Sequence, residues 1–202
     1  MIAIVNYGAG NLFSLCSSLD MIGADTKVTS DPHDLVAADK IILPGVSAFE
    51  DAIRKLRESG MCETLCEEVD KGKKLMGICL GMQMLFERSF EYGMHTGLGF
   101  LKGDVTPMSG RIPPELKIPQ MGWNALNLRG DHPILKYTRE GDYVYFVHSY
   151  SAVCCEDSLI ATTEYGADIT AAVGRGNVCG TQFHPEISGR AGLNILRAFA
   201  EW

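Results

Sequence analysis

The hydrophobic pattern divides the chain into two textures. Through the first ninety residues, short apolar runs alternate with stretches whose apolar positions recur three and four apart. That alternation builds a parallel sheet with helices on both faces. Strands are predicted at 2–5, 26–29, 40–43 and 75–78, the second ended by Asp31-Pro32 and the third stopping at Pro44-Gly45. Helices are predicted at about 12–22, with Leu12, Leu15, Leu19 and Ile22 on one face, and from Phe49 through Ile53 and Leu56. A third at 61–69 is closed by Lys71 and Gly72 as a C-cap. Beyond Phe90, glycines and prolines cut the chain into loops and short strands, at 99–105, 123–128, 143–148, 158–164, 169–173 and 178–182, before a closing helix at about 189–202. No repeat, low-complexity tract or linker interrupts this order. The expected architecture is α/β, an open, mostly parallel central sheet with helices on both faces and a strand-rich second half, in one domain over 1–202.

The stretch around Cys79 carries the strongest chemical signal. Leu75-Met76-Gly77-Ile78 is a short buried strand, and Met82, Met84, Leu85 and Phe86 follow at spacings that suit a helix. Between them, Gly77-Ile78-Cys79-Leu80-Gly81 places glycine two residues to each side of a nucleophile. That is the spacing of a strand-to-helix elbow, whose strained turn lifts the nucleophile clear of the backbone and leaves no room for a Cβ at either glycine. The helix start beside the thiol favours thiolate. Taken alone, the spacing fits a buried structural cysteine equally well. The loop at Gly45-Val46-Ser47, next to the elbow strand, is placed to supply an oxyanion N–H.

A cysteine nucleophile needs a base. Of His33, His95, His132, His148 and His184, only His184 has its own orienting group nearby, in Gln182-Phe183-His184-Pro185-Glu186. Pro185 holds His184 extended, and in an extended segment residues i and i+2 point the same way, so Glu186 can take the second ring N–H. Cys79, His184 and Glu186 thus read as nucleophile, base and orienter. A solvated histidine in a surface His-Pro turn is the plainer reading. His148, at the end of a buried strand without a local carboxylate, is the rival base, and packing or substrate contact suits it better. His33, in a turn, and His132, in a polar loop, are expected to be solvated.

Composition narrows the classes. Charged residues are 21% of the chain and the formal net charge is −7, which argues against a nucleic-acid or anionic-membrane partner. No apolar run reaches membrane-spanning length and no basic-then-apolar leader opens the chain, so the expected location is the cytoplasm. The seven cysteines are odd in number and scattered. Cys62 with Cys66 and Cys154 with Cys155 have no second pair at zinc spacing and read as reduced core thiols. Gly8 and Gly10 suggest a dinucleotide loop, but Phe13 stands where the third glycine is needed. Asp20, Asp25 and Asp39 show no metal spacing and no phosphate-binding loop is present, so neither metal nor cofactor is expected.

Gly77-Ile78-Cys79-Leu80-Gly81-Met82-Gln83 followed by His184-Pro185-Glu186 resembles the class I (triad) glutamine amidotransferases. Asn6-Tyr7-Gly8-Ala9-Gly10-Asn11, Pro44-Gly45-Val46, Met121-Gly122-Trp123-Asn124 and Tyr145-Phe146-Val147-His148-Ser149-Tyr150 are similar to the glutaminase subunits of imidazole glycerol phosphate synthases, so the likeness spans essentially the whole chain. The resemblance implies that Cys79 attacks the carboxamide of L-glutamine, releases ammonia and leaves a glutamyl thioester. It makes Leu80 an oxyanion donor with the Gly45-Val46-Ser47 loop, and Gln83, His148, Ser149 and Tyr150 glutamine contacts. It also implies a TIM-type barrel cyclase partner in histidine biosynthesis, docked against Tyr7, Asn11, Gln120, Met121, Trp123, Asn124 and Ile187. Three positions depart from the family's usual residues: Ser47 for glycine, Gln120 for histidine, and Ile187 for lysine or arginine. Other readings are a glutaminase feeding another synthase, a silent docking module on the same fold, and a free-standing cysteine hydrolase. The Met-Gly-Trp-Asn segment weighs against the first and the intact Cys-His-Glu set against the second. Full activity without a partner would mark the third.

Overall fold

The computed structural model describes residues 1–202. The first half runs β1 (Ile2–Val5), α1 (Leu12–Met21), β2 (Thr26–Thr29), α2 (Pro32–Ala37), β3 (Lys40–Gly45), α3 (Phe49–Glu58), α4 (Met61–Asp70), β4 (Lys74–Cys79) and α5 (Leu80–Met84). Then come β5 (Phe86–Ser89), β6 (His95–Thr96), β7 (Leu101–Pro107), β8 (Gln120–Leu128), β9 (Tyr143–His148) and β10 (Tyr150–Val153). The chain ends with β11 (Leu159–Glu164), β12 (Asp168–Arg175), β13 (Val178–Thr181) and α6 (Gly189–Glu201).

Nine strands form the main sheet, in the order β2-β1-β3-β4-β13-β12-β11-β8-β9. The pairings from β2 through β13 are parallel, and those from β13 through β9 are antiparallel. The sheet is therefore mixed, parallel over its first five strands only. Alternate side chains along β1, β3 and β4 enter two separate cores, as the twofold period of a strand requires. Ala3, Val5, Ile41, Leu43 and Leu75 pack with Leu35 of α2, Phe49 and Leu56 of α3, and Leu65 of α4. Ile2, Ile4, Ile42, Met76 and Ile78 pack with Leu15 and Leu19 of α1 and with Ile195 and Phe199 of α6. No helix is long and apolar enough to cross a membrane.

Several boundaries differ from the pattern-based expectation. The helix after Cys79 ends at Met84, and Phe86 opens β5 of a second sheet, ordered β10-β7-β5-β6. Fully buried Met82, Met84, Leu85 and Phe86 look alike in sequence whether they sit in a helix or a buried strand. Asp31-Pro32 starts a helix as well as ending β2: the Asp31 side chain accepts the His33 N–H and Pro32 takes the first turn. β3 continues through Pro44, so Gly45 lies opposite Cys79 in the ladder. All seven cysteines are free, but they are not all core residues: Cys154 is exposed and Cys62 and Cys66 are half-buried.

Candidate active site

The parallel strands deliver their carboxyl ends to one edge of the main sheet, where open α/β sheets place their sites. β4 ends on Cys79, whose φ of 54° and ψ of −112° lie outside the ordinary regions for a side-chain-bearing residue. The flanking glycines are steric requirements. A Cβ on Gly77 would stand 2.6 Å from the Gly81 carbonyl oxygen, and one on Gly81 would stand 1.8 Å from the Leu43 carbonyl oxygen. Gly45 is equally confined, with the Gly81 nitrogen 2.8 Å from where its Cβ would be.

β13 lies beside β4, Thr181 opposite Ile78, and the chain leaves it directly into His184. His184 is extended, with φ −96° and ψ 98°, while Pro185–Ile187 forms a 3-10 turn. Glu186 therefore reaches the ring through a turn instead of along an extended strand. The contact is the one anticipated: His184 Nδ1 and Glu186 Oε1 are 2.8 Å apart, and both side chains are buried. The His184 carbonyl accepts the Ser188 hydroxyl at 2.6 Å, and Ser188 Oγ accepts the Tyr145 N–H at 2.9 Å, which ties the turn to β9. Burial opposes charge on His184, but hydrogen bonds to Cys79 and Glu186 outweigh it and push the imidazole up to about 10. Glu186 thus engages Nδ1, which leaves the second ring nitrogen for the interaction with Cys79.

Around this group lies a cavity of about 340 Å³ lined by Cys79, Leu80, His184, Gln83, Val46 and Ser47 on one side and by Glu91, Pro119 and Val147 to Tyr150 on the other. A larger depression of about 470 Å³, at the opposite edge of the strands between Met1, Asp39, Lys40 and Glu201, holds no nucleophile. Cys79 and His184 line only the smaller one. Val46 and Ser47 are exposed at its rim, and Ser47 has φ 121°. Gln83 is buried, its amide donating to the Tyr150 carbonyl at 3.1 Å and to Gln182 Oε1 at 3.0 Å. Ser149 and Tyr150 are partly exposed on the lining.

His148 is buried with both ring nitrogens engaged, Nδ1 at 2.8 Å from the Tyr150 carbonyl and Nε2 at 3.0 Å from Gln120 Oε1. It has no nitrogen free for the thiol. His33 is exposed, at the start of α2 instead of in a bare turn. His132 is not solvated: it is half-buried edge-on to Trp202, and burial pushes it down.

Of the expected docking residues, Met121, Trp123 and Ile187 are exposed, at 63%, 52% and 40%. Asn11 is exposed and caps α1 through the Ser14 N–H, and Asn124 is half-buried. Tyr7 and Gln120 do not face outward. Tyr7 is buried with its hydroxyl donating to the Pro44 carbonyl at 2.8 Å, beneath the Gly45–Ser47 loop, and Gln120 is wholly enclosed against His148. Sequence reasoning missed Gln182, whose amide lies 3.7 Å from Cys79 Sγ, and Glu91, the one carboxylate lining the cavity, which also accepts the Phe49 N–H at 2.6 Å. The position of Gln182, two residues before His184, was the only available signal for the first. Nothing in sequence marked the second.

The glutamine amidotransferase class-I family matches residues 3–201. An imidazole glycerol phosphate synthase subunit HisH from Caldanaerobacter subterraneus is 49% identical over 100% of this chain and 98% of its own. The protein of the same name from Methanothermobacter thermautotrophicus is also 49% identical, with the same coverage. Among solved structures, a glutamine amidotransferase superposes with TM-score 0.78 at 19% identity, covering 100% of this chain and 98% of that one. PurLQS from Thermotoga maritima gives 0.74 at 22% identity, with 99% and 97% covered, a likeness of fold.

Proposed function

The chain belongs to the class I glutamine amidotransferases, as a glutamine amidotransferase subunit of imidazole glycerol phosphate synthase in histidine biosynthesis, and we propose that it cleaves glutamine at Cys79. The observation that carries this is the positive-φ cysteine ending β4 beside a Glu186-bound His184 on the neighbouring strand.

Cys79 Sγ attacks the side-chain carbonyl carbon of glutamine. The oxygen of the tetrahedral intermediate takes hydrogen bonds from the Leu80 N–H and from an N–H of the Gly45-Val46-Ser47 loop; each such donor is worth about 3–4 kcal/mol in the transition state. His184 gives its proton to the leaving nitrogen, ammonia departs, and the glutamyl group remains on sulfur. His184 then takes a proton from water, the water oxygen adds to the thioester carbon, and glutamate leaves with the thiol restored. Glu186 supports the imidazolium in both steps. Gln83 and Ser149-Tyr150 line the substrate's side, and the Glu91 carboxylate suits its ammonium group. Residues 1–202 act as one glutaminase domain, with seven free cysteines in keeping with a reducing cytoplasm.

The ammonia acceptor is a TIM-type barrel cyclase subunit, docked where Met121, Trp123 and Ile187 are exposed near the site. A glutamine analogue with a reactive ketone in place of its carboxamide tests the nucleophile. Peptide mass spectrometry should find the adduct on Cys79, and an adduct confined to another cysteine, such as exposed Cys154, would refute the assignment.

A further inference from the structure

Four hydrogen-bond links run from the surface of β8 into the glutamine cavity. Asn124 Nδ2 reaches the Glu164 carbonyl at 3.3 Å, Gln120 Nε2 reaches Asn124 Oδ1 at 3.0 Å, Gln120 Oε1 meets His148 Nε2 at 3.0 Å, and His148 Nδ1 meets the Tyr150 carbonyl at 2.8 Å. Both ends are backbone carbonyls, which only accept. An amide that uses its oxygen on one side and its nitrogen on the other preserves the direction of such a chain, and so does a neutral imidazole. With a neutral ring, one link must therefore set acceptor against acceptor. Only an imidazolium donates both ways and satisfies all four.

We propose that Gln120 is a positioning residue of the glutamine cavity: with Asn124 it forms an amide relay that holds the His148 ring at Nε2 and whose orientation decides whether that nitrogen carries a proton. The orientation seen here is the one the imidazolium requires. Loss of a proton reverses both amides. Gln120 then donates to Nε2, the ring keeps its Nδ1–H on the Tyr150 carbonyl, and the mismatch moves to half-buried Asn124, where water can resolve it.

The charged groups nearby set the balance. His184 and Arg111 oppose a second cation, while Glu91 and Cys79 line the same cavity. Burial and those two cations push His148 down to about 4 against the pull of the Tyr150 carbonyl, which favours the reversed relay over the one seen here as pH rises. The Tyr150 carbonyl also receives the Gln83 amide at 3.1 Å. A ring released at Nε2 turns its Nδ1–H off that carbonyl and loosens the wall formed by Tyr150 and Gln83. The role in substrate binding rests on the glutaminase reading; the proton count does not.

Nitrogen-15 NMR of the full chain reads the ring directly, with His148 assigned by its absence in His148→Asn. Wild type should show the Nδ1–H tautomer at neutral pH. In Asn124→Asp, at a half-buried position that tolerates charge, the carboxylate only accepts. Gln120 must then turn its oxygen to His148, and the titration midpoint should rise by about one pH unit or more. That rise should vanish in the double variant Gln120→Leu/Asn124→Asp, which keeps the charge and breaks the relay. Gln120→Leu, which releases the ring at Nε2, should raise KM for glutamine about tenfold, with a smaller change in kcat. An Nε2–H tautomer in wild type, or a midpoint that stays put in Asn124→Asp or rises equally in the double variant, would overturn the relay. An unmoved KM in Gln120→Leu would overturn its part in the cavity. Failure of wild type to cleave glutamine would strike the glutaminase reading and leave the spectra unaffected.

Discussion

His184 is buried, bound to Glu186 through Nδ1 and pushed up to about 10, so its charge is coupled to the fold. A histidine raised on folding contributes stability that is complete below its ordinary value near 6.5 and is lost as pH rises through the folded value. The expected signature is therefore alkaline. Wild type should exceed His184→Asn in melting temperature most in mildly acidic buffer, and the gap should close as pH approaches about 10. A gap that widens with pH would contradict the pairing. The meeting of His184 with Glu186 beside Cys79 was legible in sequence because each part carries a local signature: glycines around Cys79, and a proline between His184 and Glu186. Gln182 and Gln120 carried none, since an amide gains its meaning only from the strand it faces.

Two loops meet at the elbow, and the glycines decide how closely. Gly45 and Gly81 admit no side chain, which brings the β3 end against the first turn of α5 and sets the 45–47 backbone beside Cys79. Ser47 sits in that loop at φ 121°, a conformation that costs a non-glycine residue about 1–2 kcal/mol. Ser47→Gly should therefore stabilise the protein by about 1 kcal/mol in urea denaturation, the gain being trimmed by glycine's greater freedom when unfolded. A loss of stability would mean that the serine side chain makes the loop. At this scale the alternating first half was readable, because each strand and helix there announces its own period. The second sheet was not. β5 and β10 are only four residues each, and β10 joins β7 through pairings between residues far apart in the chain, such as Tyr150 with Pro107.

Across the whole molecule, the cavity and the proposed docking surface share one edge. β8 carries Gln120 inward to His148 and Met121 and Trp123 outward, so a partner seated on this strand touches the far side of the glutamine wall. The isolated chain should hydrolyse glutamine slowly, and addition of the cyclase with its nucleotide substrate should raise the rate by orders of magnitude. Full activity alone would favour a free-standing hydrolase. The exposure of Met121 and Trp123 agrees with the resemblance read from the chain, but the inward turn of Tyr7 and Gln120 needed the sheet, because strand period alone does not say which face is buried. The most direct measurement is made on the Cys79→Ala variant assembled with its cyclase. Synthesis of imidazole glycerol phosphate from glutamine should vanish while synthesis from added ammonium salt continues at the wild-type rate. Turnover with glutamine in that variant would contradict Cys79 as the nucleophile.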